Sequence, residues 1–157
     1  MPLLGDEDTK YLRESFADLR SDVSVTVVAR EKSRLVLVGA DAPSDGDGED
    51  ASAEVKQIVD EVAATSERIK VTHVDAAADA ARAQTLAGAH LPAIVFGGAG
   101  AKGTLRYFGL PAGYEMSTLI ATLMDLGSGE QMVPPEIGDE LAKLTAPVHI
   151  QVFVTPG

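Results

Sequence analysis

Two β-rich runs with an amphipathic helix between them decide most of what this chain can become. Val23 to Ala29 reads VSVTVVA, and Arg68 to Asp75 reads RIKVTHVD. Their β-branched content and alternation are those of strands with at least one buried face. From Ser52 to Ser66, Val55, Ile58, Val59 and Val62 recur at helical spacing and form one apolar stripe, with Ser52, Glu54 or the acids before it to cap the start. A strand, a helix and a strand in that order join parallel neighbours by a right-handed crossover. An α/β sheet is the expectation.

The flanking segments extend that sheet. Asp6 to Leu19 places Leu12, Phe16 and Leu19 at helical spacing after an acidic first turn. A second β-rich run, Arg34–Gly39, predicts a hairpin with Val23–Ala29. Residues 76–89 read as a short helix closed by Gly88. HLPAIVFGG and GTLRYFG predict two strands paired as an antiparallel hairpin. A helix starts near Gly113–Tyr114, buries Met116, Leu119, Ile120, Leu123 and Met124, and stops at Gly127. Pro135 suits the first turn of a further short helix. The last residues, VHIQVFVTPG, read as a core strand, Val148–Val154, followed by a turn. The sum is a mixed sheet with helices on both faces, and no repeat stands out within it.

Composition removes several classes of function. At 157 residues, with 45% hydrophobic and 24% charged residues, the chain suits one globular domain. A net charge of −11, from 24 acids against 13 bases, argues against binding that depends on phosphate neutralisation, so no nucleic-acid partner is expected. There are no cysteines, which removes disulfides, thiolate metal sites and thiol catalysis together. His73, His90 and His149 lack zinc-ligand spacing. No apolar run has the length of a membrane span, and the first residues are not a secretory signal. A soluble cytoplasmic chain without cofactor or metal is the expectation.

The site-like motifs weaken on inspection. Gly98-x-Gly100-x-x-Gly103 matches a dinucleotide fingerprint, but it lies between two strands and not before a helix N-terminus, so it reads as a hairpin turn. Asp41, Asp45, Asp47, Glu49 and Asp50 could supply oxygen ligands to calcium, yet they lack the alternation of a calcium loop, and a solvated acidic loop explains them better. No serine stands in a nucleophile-elbow pattern. Arg82, Lys102 and Arg106 read as solvated surface charges.

Three stretches, LPAIVF, LRYFGLPAGYEMSTLIATLMDL and PVHIQVFVTP, together resemble the first half of the glutaredoxin-like protein disulfide oxidoreductases, which carry a double thioredoxin fold. The N-terminal part of the alkyl hydroperoxide reductase flavoprotein is similar. The resemblance covers about Tyr11 to Gly157 with one loop insertion. It implies a thioredoxin-like domain over residues 1–145, and in residues 146–157 the first strand of a second thioredoxin unit, whose Cys-x-x-Cys would come just beyond. It also places the first unit's Cys-x-x-Cys near Glu49, Asp50, Ala51 and Ser52, at a helix N-terminus, where thiolates are favoured but carboxylates cannot exchange disulfides. Pro92 matches the family's cis-proline. Leu91, Pro92 and Ala93 would then face an extended peptide that adds to the sheet.

The function implied is that of a redox-inactive half of a thiol–disulfide oxidoreductase, structural or peptide-docking. Its partner would be the catalytic second unit of the same parent protein, with the enzyme being the parent and not this chain. The alternative is a stand-alone interaction module that dimerises or binds peptides through a sheet edge, with the exposed Val148–Val154 strand as a pairing template.

Overall fold

The computed structural model describes residues 2–31, 46–99, 101–129 and 133–153, and for 46–50 the backbone alone. Helix α1, Asp6–Ser15, runs on into a 3₁₀ turn, Phe16–Asp18. Then follow β1 (Val23–Ala29), α2 (Gly46–Ala63), β2 (Ile69–Asp75), α3 (Ala80–Ala87), β3 (Ala93–Gly98), β4 (Leu105–Phe108), α4 (Tyr114–Ser128) and α5 (Pro135–Ala142). The run Arg34–Gly39, expected to form a hairpin with β1, lies outside the described residues. So do Asp41 and Asp45 of the acidic stretch.

The sheet has the order β2-β1-β3-β4. β1 and β2 are parallel in the register Val23 to Ile69, and α2 is the crossover between them. β3 lies antiparallel to β1, and β4 antiparallel to β3. The late hairpin is therefore as expected, with Gly98 ending β3 and Gly103 standing just before β4.

Side-chain alternation sorts the core into two layers. Val23, Val25 and Val27 of β1, with Ile94 and Phe96 of β3, face α1, α2 and α4 and meet Leu12, Phe16, Val55, Val59, Leu119 and Leu123. Among the described residues the opposite face is covered by α3, where Val28, Val74 and Val95 meet Ala83 and Ala87. Small alanines let this short helix sit close to the sheet. β2 is an edge strand, so of its alternating set Ile69 is buried while His73 stays exposed, its ring bonded to Asp60 of α2 at 2.8 Å.

Three expectations need correction. Helix α2 begins at Gly46 and not at Ser52: an acid-rich stretch is favoured at the positive end of a helix dipole, so the helix takes in part of what reads as a loop. Gly127 does not stop α4. It lies buried inside the helix, with Arg20 and Ser21 N–H groups donating to its carbonyl at 2.8 and 3.0 Å, and the left-handed cap is Gly129 at φ 73°. Of the strand expected at Val148–Val154, the described residues 148–153 form no ladder, because a strand needs a partner edge; Ile150 is 79% exposed and Phe153 88%.

A repeat also becomes visible once burial is known. Ile137, Leu141 and Leu144 keep the spacing of Leu12, Phe16 and Leu19, and Val148, Ile150 and Val152 follow at the distance at which Val23, Val25 and Val27 follow the first set. The first set is buried core, Leu12 being 2% exposed, whereas Ile137 in the second is 51% exposed. The segment 133–153 repeats the helix-then-extended pattern of α1–β1 with its apolar positions exposed.

Candidate functional site

The connection from α3 into β3 is built from residues 88–92. Asp79 caps the start of α3 by accepting from the Arg82 amide at 3.1 Å. Gly88 ends it at φ 71°, its amide donating to the Gln84 carbonyl at 3.0 Å. His90 follows, exposed, and its ring stands edge-on to Phe108 with centroids 5.6 Å apart. The Leu91–Pro92 peptide bond is cis.

The residues expected to meet a peptide differ in what they still offer. Ala93 is buried and sits in the ladder between Val28 and Phe108. The Pro92 ring is buried, and its carbonyl accepts from the Gly109 amide at 3.0 Å. Leu91 is half-buried against the alanine-lined layer. Among the described residues nothing hydrogen-bonds to its backbone N–H or carbonyl. Leu91 thus has one main-chain donor and one acceptor without a partner among the described residues where β3 begins.

Residues Glu49, Asp50, Ala51 and Ser52 fall within the first two turns of α2, one turn later than a helix-start motif requires, and Ser52 is buried at 3% exposure. Topology sets them at the same end of the sheet as Leu91: α2 begins beyond the C-terminal end of β1, and β3 enters beside that end because it runs antiparallel. Lys56 of α2 marks that end by its 2.6 Å ion pair to Glu31, just past β1.

Three polar ties were not legible as such. Arg106, read as a solvated charge, donates from Nε to the Leu86 carbonyl and from Nη2 to the Thr85 carbonyl at 3.3 Å. The Tyr107 hydroxyl donates to the Glu115 carboxylate. Burial and that carboxylate push the Tyr107 phenol up to about 12. Asp75 at the end of β2 accepts from the Ala77 amide at 2.9 Å, chiefly for which its carboxyl is held below the usual range. Among the described residues no group of His, Asp and Glu has the arrangement of a metal site, and no helix is long and apolar enough to cross a membrane.

No protein-family model and no curated protein sequence matches the chain. Solved structures do. The N-terminal domain of the alkylhydroperoxide reductase AhpF from Enterococcus faecalis aligns over 88% of this chain and 59% of that one, at 18% identity and a TM-score of 0.66. A mutant form of the same reductase aligns over 90% and 61%, at 18% identity and 0.65. A protein disulfide oxidoreductase from Aeropyrum pernix aligns over 89% and 55%, at 17% identity and 0.67. The chain therefore has a thioredoxin-like fold, as a unit spanning under two thirds of each of these larger chains.

Proposed function

We propose that this chain is the redox-silent, peptide-docking thioredoxin-like half of a cytoplasmic thiol–disulfide oxidoreductase. The reading rests foremost on Leu91, whose backbone donor and acceptor have no hydrogen-bond partner among the described residues, at the start of β3, and main-chain groups of that kind are what an extended segment pairs with. Disulfide exchange needs a thiolate, and this sequence has no cysteine to supply one. What the unit offers is a surface: it holds an extended substrate while a second unit does the sulfur chemistry.

The arm from Val133 to Phe153 supports a second unit as the covalent partner. It repeats the apolar positions of α1–β1 yet leaves Val148 and Ile150 exposed, which suits a helix and strand that complete another sheet. On this reading residues 1–145 form the docking unit and 146–157 enter the catalytic one.

Two measurements test the proposal. With insulin and dithiothreitol, turnover stays at the buffer value; turnover above it defeats the redox-silent assignment. In an NMR titration with an acetylated, amidated Lys-Val-Thr-Val-Thr-Lys peptide, the largest shift changes fall on the Leu91 amide and its neighbours. A titration that moves residues elsewhere, or none, defeats the docking assignment.

A further inference from the structure

Strand β4 does more than close the sheet. Arg106 pairs with Val95 across the ladder, so its side chain leaves the sheet on the face that α3 covers. From there the guanidinium reaches the last turn of α3 and takes the Thr85 and Leu86 carbonyls with two different nitrogens. Those carbonyls belong to the helix end that lacks intrahelical donors, and the negative end of the dipole favours a cation there. The planar fork suits two neighbouring acceptors in a way that a lysine ammonium does not.

Two residues further along the same face, Phe108 holds His90 by a ring contact. The next amide, Gly109, holds the Pro92 carbonyl at 3.0 Å. Residues 106–109 therefore grip the connection before and after Leu91, and among the described residues that residue's own backbone makes no hydrogen bond.

We propose that Arg106 is the positioning residue for the Leu91 docking edge: by tying the end of α3 to β4 it fixes the 88–92 connection so that the Leu91 amide and carbonyl stay presented. This rests on the docking reading above, and it adds to that reading the residue on which docking depends. An arginine that served stability alone would lower the unfolding midpoint of the chain and leave the ring contact and the affinity as they were.

The test uses the full chain with Arg106→Ala, Arg106→Lys and, as an exposed control on α3, Arg82→Ala, each measured well below its own unfolding midpoint. Arg106→Ala removes the ring-current displacement of the His90 side-chain protons and speeds exchange of the Leu91 amide. It also weakens binding of the Lys-Val-Thr-Val-Thr-Lys peptide about tenfold, because the docking edge is no longer held preorganised. Arg106→Lys recovers part of each change, and Arg82→Ala alters none. Unchanged His90 shifts and affinity in Arg106→Ala, or a lowered midpoint as its sole effect, overturn the proposal. If the unaltered chain binds no such peptide, the docking reading fails and the docking role of Arg106 fails with it; the His90 shifts then still report whether Arg106 holds the turn.

Discussion

The Tyr107 hydroxyl donates its hydrogen bond to the Glu115 carboxylate, across the turn that carries β4 into α4. The Leu110 carbonyl lies 3.4 Å from the same hydroxyl, and Pro111 beside it is buried. The pair therefore closes the connection between the last strand and the helix that packs on the central layer. Burial first, and Glu115 second, raise the phenol to about 12. A raised acid binds its proton more tightly in the folded state, so this contribution to stability is complete below the unfolded phenol's pKa of about 10 and is lost as pH rises towards 12. Absorbance titration at alkaline pH should show a step near 12 that Tyr107→Phe abolishes. In urea at neutral pH the same substitution should cost about 0.5–1.5 kcal/mol.

The opposite sign is expected at Glu61. Its carboxylate accepts from the Gln57 side chain at 2.7 Å and from the Leu4 and Leu3 amides at 2.8 Å each, and these bonds, Gln57 first, hold its carboxyl below the usual glutamate range. A lowered acid stabilises the fold above its unfolded pKa and stops doing so as pH falls through the lowered folded value. Between about pH 5 and pH 3 the midpoint of the unaltered chain should therefore fall more steeply than that of Glu61→Gln. The variant should also be clipped faster near Leu3 and Leu4, whose amides exchange a charged acceptor for a weaker neutral one. Parallel slopes would exclude Glu61 from the acid response.

Gly127 marks the boundary of what sequence could reveal. The apolar stripe of α4 was legible because Met116, Leu119, Ile120, Leu123 and Met124 share one period, and the parallel β1–α2–β2 unit because its two periods alternate. The role of Gly127 was not, because a glycine near a helix end reads as a stop whether or not another chain segment approaches it. A Cβ at Gly127 would stand 2.5 Å from Leu19 Cδ2 and 3.0 Å from Val23 Cγ2. Arg106 escaped for the same reason: its acceptors are carbonyls of a helix distant in sequence, and carbonyls carry no sequence signature. The exchange at Gly127→Ala is then a contest between about 1 kcal/mol of gained helix propensity and about 1–3 kcal/mol of overpacking. Val23 is fully buried and cannot yield, so overpacking should win by about 1 kcal/mol in a urea titration. A stabilised variant would mean that Leu19 repacks freely.

The exposed arm allows the sharpest separation of core from appendage. Leu12 and Ile137 hold equivalent places in the two copies of the helix-then-extended pattern, and only the first is inside a core. α5 has no buried residue, and all of 148–153 is exposed. Hydrophobic stabilisation follows the area removed from water, so apolar side chains that stay wet add almost nothing to the fold. Deleting residues 133–157 should therefore change unfolding free energy by less than about 1 kcal/mol and leave the transition cooperative. It should also make the chain less prone to associate, because Val148, Ile150 and Val152 offer an unpaired apolar edge without a charged residue between them. Sedimentation of both forms over a range of concentrations, with urea titrations beside it, decides the matter. A loss of several kcal/mol on deletion would mean that the arm packs on its own domain, and the second copy of the pattern would then need no second sheet to complete.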